Sequence, residues 1–388
     1  MGLGQALASK KAWWGADPDE ATANRTVISC IPTRNKTYNI SVSNAIGAFG
    51  AGGTTFIVRP KIPMRHALFL LSRARAVPRL DDAPLRLAES TDFRDLIAQW
   101  FNDQASKVIA RGLIRDYEVE SGPLRAVRGR LQPIATAERY YAGSLELVCE
   151  YDEFTVDNAL NRVLLASALI LQRLFADRPD IRKRSRNIAM ELAGAGTVRV
   201  DDFRARPDRR TAYYSNALSL ARLICSSIAL DLGAGGCRAW TFLIRTPEAI
   251  EEGIRRVLYE GMRPGVHVSK YGTSLLPRHM TVEPDLRLDP PGAVGDCKYK
   301  LHGKEWVRGD LYQSVAFAAG TRAAKSCVVS FSDRAEARPL GDIRFGDITV
   351  SHLLWDASPG RAPELAADEL VQQCKEWLGA NELRWVGQ

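Results

Sequence analysis

Two stretches near the C-terminus carry the ionisable residues best spaced for chemistry: T-V-E-P-D-L-R-L at 281–288 and A-V-G-D-C-K-Y-K-L at 293–301. Each alternates apolar or β-branched residues with polar ones, and the turn-forming run Asp289-Pro290-Pro291-Gly292 lies between them. A β-hairpin is expected. Alternation puts Asp296 and Lys298 on one strand face and turns Cys297 to the other, while Asp285 enters from the adjacent strand. Two carboxylates can hold a hard divalent cation, and a neighbouring lysine can orient a water and stabilise charge developing on a phosphate. The plain alternative is a solvated amphipathic hairpin. Lys300 shares the face of Lys298 and is expected to point to solvent or to a nucleic-acid backbone.

The flanking elements must hold such a hairpin in place. Downstream, Asp310-Leu311-Tyr312-Gln313 opens a helix running to about Ala319, followed by the apolar strand Cys327-Val328-Val329. Hairpin, crossover helix and buried strand in that order suit a mixed sheet flanked by helices. Asp310 followed three residues later by Gln313 also reads as a capping box, and Gln313 can serve both roles. Upstream, Pro247-Glu248-Ala249-Ile250-Glu251-Glu252 starts a helix reaching about Tyr259. Its Glu251 is either a further metal-side carboxylate or a charge that complements the helix macrodipole.

The chain has 388 residues, 53 Lys and Arg against 45 Asp and Glu, and a formal charge of +8. That excess favours polyanions only mildly. The basic runs Arg182-Lys183-Arg184-Ser185-Arg186 and 204–210 flank a strand-like piece, Thr197–Val200. Either a DNA-backbone contact or a solvated face accounts for them. Seven scattered cysteines without C-x-x-C argue for reduced thiols rather than disulfides or structural zinc. No apolar run is long enough to span a bilayer, and the N-terminus lacks signal-peptide design, so a cytoplasmic protein is expected. There is no phosphate-binding G-x-x-x-x-G-K-[ST], and Gly47–Gly53 reads as a turn between strands Tyr38–Val42 and Thr55–Val58. Nucleotide hydrolysis, if used, must come from another subunit.

Residues 1–25 read as a flexible leader, 26–160 as a β-rich domain, 161–235 as a helical connection and 236–388 as the domain bearing the hairpin. In the second region, helical periodicity covers Asp92 to about Arg115, and strands are expected at 115–120, 124–131 and 145–148. A strong helix follows, N-capped by Asp157. Asn158, Asn161 and Arg162 within it are expected to be structural rather than catalytic.

These residues together resemble the McrC family, the nuclease subunits of McrBC-type modification-dependent restriction systems. R-P-K-I-P at 59–63, A-R-G-L-I-R-D-Y at 110–117, L-R-A-V-R-G-R-L at 124–131 and C-E-Y-D-E-F-T-V-D-N-A-L-N-R-V-L at 149–164 carry the likeness. E-P-D-L-R-L, G-D-C-K-Y-K and D-L-Y-Q follow in family order, the P-D…D-x-K pattern of the PD-(D/E)XK nucleases. The resemblance implies an α+β, multidomain chain: an N-terminal β-rich docking region, a helical middle and a C-terminal nuclease with a mixed sheet. It implies catalytic residues Asp285, Asp296, Lys298, Gln313 and Glu251. The metal, Mg2+ with Mn2+ as a substitute, would be held by Asp285, Asp296, the Cys297 backbone carbonyl and Glu251. The implied partners are a hexameric AAA+ GTPase of the McrB kind and double-stranded, modified DNA. Docking is expected at the loops near Arg34-Asn35-Lys36 and Gly47–Gly53. Two departures stand out: Phe317 replaces an aromatic hydroxyl, and Ile250 replaces the phenylalanine before the helix glutamate, so that match can shift by one position. Two other classes remain open: a non-catalytic activator of an AAA+ motor, and a stand-alone DNA repair nuclease.

Overall fold

A computed structural model of the chain describes residues 28–33, 37–51, 54–77, 93–229, 241–275 and 280–379. The expected leader 1–25, the Arg34-Asn35-Lys36 loop and Gly52-Gly53 lie outside the described residues. The fold is mixed α/β, and the chain divides into two compact units, 1–94 with 230–388, and 95–229.

The first unit begins with β1 (Ile28–Pro32), β2 (Tyr38–Val42), β3 (Ala45–Ala51), β4 (Thr54–Val58) and α1 (Met64–Arg73). Residues 47–51 of the glycine-rich segment therefore belong to strand β3 rather than to a turn. Its alternate residues Ala45 and Phe49 are buried, and Phe49 stacks on Phe56 of β4 at 4.9 Å.

The second unit opens on α2 (Phe93–Arg111) and continues through β5 (Asp116–Leu124), β6 (Arg130–Leu131), α3 (Pro133–Tyr141), β7 (Leu147–Thr155), α4 (Ala159–Leu174), α5 (Pro179–Glu191) and α6 (Ser215–Ala229). Three expectations change here. The run Arg182–Arg186 is part of α5, residues 197–199 form no strand, and Val200–Arg204 is a 3-10 turn. Asn158, not Asp157, caps α4, its side chain accepting from the Asn161 N–H at 3.1 Å. Asp157 instead pairs with buried Arg162 at 2.6 Å. Asn161 is fully buried; it donates to the Val156 and Ile114 carbonyls at 2.8 and 2.9 Å and accepts from Tyr214 at 2.8 Å. A buried amide with its donors and acceptor engaged is a structural pin.

The first unit resumes with β8 (Thr241–Arg245), α7 (Pro247–Met262), β9 (His267–Ser269), β10 (Thr273–Leu275), β11 (Met280–Val282), β12 (Leu286–Asp289) and β13 (Ala293–Leu301). It ends with α8 (Arg308–Thr321), β14 (Lys325–Ser332), β15 (Ile343–Phe345), β16 (Ile348–Asp356) and α9 (Pro363–Leu378). Six strands form one mixed sheet in the order β15-β16-β14-β13-β12-β9, with β13, β14 and β16 parallel. Both faces are covered, which is why β14 and β16 read as largely apolar runs. Odd-numbered Cys297, Cys327, Val329, Leu353 and Trp355 pack with α1, α7 and α9; even-numbered Val294, Val328 and Val350 pack beneath α8.

The border expected at residue 160 does not divide these contacts. Strand β3 pairs with β8 from Ala45↔Arg245 to Phe49↔Thr241. On α1, His66 Nδ1 accepts from Trp355 Nε1 at 3.0 Å, and its Nε2 lies 3.0 Å from the Arg361 carbonyl. Burial lowers the His66 pKa, so the ring is neutral with its proton on Nε2. Residues 28–77 are thus built into the core that also holds 241–379.

Helices α1 and α7 approach closely at Gly253, where a Cβ would fall 2.5 Å from the Leu70 carbonyl oxygen. Alanine gains about 1 kcal/mol of helix propensity over glycine, but a backbone oxygen cannot yield as a side chain can. Gly253→Ala should therefore lower stability by about 1–3 kcal/mol in chemical denaturation. An unchanged or higher midpoint would show that the two helices are free to separate.

Candidate active site

The expected first strand, 281–288, is broken in two. Strand β11 pairs with β10 in a separate ribbon, and β12 alone pairs with β13, in the register Leu286↔Gly295 and Leu288↔Ala293. Asp285 sits in the break, immediately before β12. Freed from the ladder, its carboxylate turns along the sheet: Oδ2 accepts the Cys297 N–H at 3.0 Å, and Oδ1 accepts from Lys270 Nζ at 2.9 Å. Glycine at 295 lets β13 lie tight against its neighbours, since a Cβ there would meet Cys327 Sγ at 2.7 Å.

Asp296 is 2% exposed. Lys298 Nζ lies 2.7 Å from its Oδ2 as an ion pair, yet the angle does not make a hydrogen bond and this oxygen has no hydrogen-bond partner. Lys298 also donates to Gln313 Oε1 on α8 at 2.8 Å. The Asp285 and Asp296 carboxyls are near enough for each to act on the other's ionisation. Burial and the Asp285 charge push Asp296 up to about 7, against the pull of Lys298. Burial also opposes ionisation of Asp285, but the Cys297 N–H and Lys270 outweigh it and hold its pKa below the usual value.

Glu251 joins this group from the first turns of α7. Its Oε2 is 3.8 Å from Lys270 Nζ, and burial with the Asp285 charge raises its pKa to about 7. The dipole-complementing role falls to Glu248, which pairs with Arg245 at the helix start. Glu252 is committed to Arg255 and Arg256, so the site carboxylate is Glu251.

Two expectations are corrected. Asp310 does not cap α8: the N-cap is Val307, with no side-chain cap bond. Asp310 instead pairs with Lys300, so that lysine does not point freely outward. The pairing has a backbone cause. Cys297 pairs with Val329 but Leu301 with Phe331, so four steps along β13 meet two along β14. Such a bulge re-aims side chains, sending Lys298 to Asp296 and Gln313 while Lys300 reaches Asp310. Lys270 went unseen in the sequence. Its only signal was the alternation in V-H-V-S-K; the register Ser269↔Arg287 is what carries it beside Asp285.

Among the described residues, no three His, Cys, Asp or Glu side chains form a ready-made metal cage. The donor set nevertheless fits Mg2+, which is bound through one or two carboxylates with water and substrate oxygens filling the rest. The fit rests on Asp296 Oδ2, a buried carboxyl oxygen lacking a hydrogen bond among the described residues and standing beside a second carboxylate.

The family described as "McrBC 5-methylcytosine restriction system component" matches residues 40–329. The chain belongs to this family. Among its relatives is the "Type IV methyl-directed restriction enzyme EcoKMcrBC" of Escherichia coli K12, 21% identical over 260 residues, covering 62% of this chain and 74% of that protein. The fold is also found in a structure of Thermococcus gammatolerans McrB AAA+ hexamers with bound McrC. The match there has a TM-score of 0.67 at 16% identity, over 92% of this chain and 89% of the matched one. In this McrBC family member, Cys149, Cys225, Cys297, Cys327 and Cys374 are free and buried, and no described helix is long and apolar enough to cross a membrane.

The acid pair sets a stability dependence on pH. Asp296 has a folded pKa of about 7, above its ordinary value of 3.8. As pH rises between these values, the unfolded chain gives up a proton that the folded chain keeps, so stability falls through that window. In EDTA at pH 8, Asp296→Asn should unfold later than wild type by on the order of 1–3 kcal/mol. The difference should shrink toward pH 4. A less stable variant at pH 8 would mean that the charge supports the fold.

Proposed function

We propose that this chain is a metal-dependent endodeoxyribonuclease of the PD-(D/E)XK type, the cleaving subunit of an McrBC-like restriction complex. Cleavage of modified double-stranded DNA in the cytoplasm would be driven by an AAA+ GTPase of the McrB kind. The observation that carries this reading is Asp296 Oδ2, buried beside Asp285 and without a hydrogen bond, with Lys298 at 2.7 Å. A solvated hairpin gives no reason to bury two carboxylates together at such cost. Clustering of perturbed carboxylates is a mark of functional sites.

Asp285, Asp296 and the Cys297 carbonyl would hold Mg2+, or Mn2+ in its place, with Glu251 beside them. When bound, the ion neutralises phosphate charge and acidifies a coordinated water. The chain's own residues supply the rest. Lys298 is held between Asp296 and Gln313, and burial is outweighed by its carboxylate neighbours, which raise its pKa. It therefore stays an ammonium and orients a water or stabilises the departing charge, rather than acting as a base. Gln313 fixes that ammonium through its 2.8 Å bond. Glu251, half-protonated near neutrality, is placed to exchange a proton with a water at the site.

Docking of the AAA+ partner is assigned to residues 26–160. Exposed Tyr117, Val119 and Phe154 on the antiparallel β5–β7 pair support that assignment. A non-catalytic activator would have no use for the acid pair, and a stand-alone repair nuclease no use for this exposed apolar face.

The test is plasmid cleavage with Mg2+, the partner and its nucleotide. Asp296→Ala and Lys298→Ala should each cut cleavage by about 100-fold or more while still raising the partner's nucleotide turnover. Lys300→Ala, which removes only the Asp310 pair, should keep most cleavage. Wild-type cleavage by Asp296→Ala would end the nuclease reading, and loss of turnover stimulation in the same variant would end the division of labour.

A further inference from the structure

The mechanism leaves one charged group at the site without a task. Lys270 follows the edge strand β9, and its ammonium stands between two carboxylates of different elements, 2.9 Å from Asp285 Oδ1 and 3.8 Å from Glu251 Oε2. Its side chain is 30% exposed, against 12% for Asp285 and 19% for Glu251. It is therefore the most solvent-accessible of the three and has room to withdraw. Lys298 differs: it holds the other acid, Asp296, and is tethered to Gln313 on α8. Among the described residues, no hydrogen bond to a neutral group fixes the Lys270 ammonium. Its named partners are Asp285 and Glu251, so whatever displaces it from them frees it altogether.

We propose that Lys270 is a built-in counter-ion that competes with the divalent cation for Asp285 and Glu251 and withdraws when the cation binds. This rests on the metal reading above and adds a residue that sets how tightly the cation is held. Two like-charged carboxylates facing a third in a half-buried pocket need a nearby positive charge to stay together. An ammonium supplies it with a flexible four-carbon stem, so it can leave without disturbing the backbone. A cation must then overcome the ammonium's hold, and the site loads less tightly than its acids alone allow. The displaced ammonium, still beside the loaded acids, is set to meet a DNA phosphate arriving at the same pocket. Loading and substrate arrival would thereby favour each other.

The experiment is Mn2+ binding by calorimetry without DNA, paired with thermal unfolding in EDTA and in Mn2+, on wild type, Lys270→Met, Lys270→Gln and Asp296→Asn. Lys270→Met should bind Mn2+ about tenfold more tightly than wild type. It should also melt earlier in EDTA and gain more from Mn2+, because its acids are left unbalanced until the ion arrives. Lys270→Gln, which keeps a donor to Asp285 without the charge, should show the same tightening and stands in if the methionine variant does not fold. Asp296→Asn should bind Mn2+ more weakly. Equal or weaker Mn2+ binding by a folded Lys270 variant, with wild type binding normally and Asp296→Asn impaired, overturns the counter-ion role alone. Failure of wild type to bind Mn2+ overturns the metal reading and the counter-ion role with it.

Discussion

The first unit is organised around a repulsion. Asp285 and Asp296 are both below a tenth exposed, and their carboxyls meet where two ionised groups would repel strongly. Three positive or donor groups make that arrangement tolerable: the Cys297 N–H and Lys270 on Asp285, and Lys298 on Asp296. They hold one acid ionised and leave the other near neutral. This imbalance costs stability that an apolar pair would not.

Several features of the sheet follow from holding those groups. The ladder stops between β11 and β12 so that Asp285 can turn toward a backbone N–H on β13. Gly295 keeps β13 close to Cys327 one residue before Asp296. The bulge after Cys297 separates the two lysines, and α8 supplies a partner for each, Gln313 and Asp310. The N-terminal segment also reaches this strand: the Lys61 N–H donates to the Tyr299 hydroxyl at 2.9 Å, and Lys61 Nζ to the Tyr299 carbonyl at 3.2 Å. The R-P-K-I-P element thus clips the site strand one residue beyond Lys298.

Much of this was legible in the sequence because strand alternation is local. The faces of Asp296, Cys297 and Lys298 followed from a two-residue period, and α7, α8 and β14 from apolar patterning. What was not legible depends on pairing between distant segments. Nothing near residue 270 announces that β9 pairs with β12, so Lys270 stayed hidden. Glycine is common in turns, so Gly47–Gly53 reads as one; pairing of Ala45–Phe49 with β8, a distant segment, makes 47–51 part of a strand. The domain border was misplaced for the same reason, since α1 joins its core through Trp355 and Gly253 rather than through neighbours in sequence. Local capping rules place both Asp157 and Asp310 at helix N-termini. Both carboxylates instead met a cation, Arg162 and Lys300, which a local capping rule does not foresee.

The central claim is that Asp285 and Asp296 are buried together to hold a divalent cation. The most direct measurement is an anomalous difference map from a crystal of the chain soaked in Mn2+. The account predicts one strong peak bridging the Asp285 and Asp296 carboxylates beside the Cys297 carbonyl, with the Lys270 ammonium drawn away from Asp285. A map with no peak there, or with Mn2+ bound only elsewhere on the surface, would contradict it.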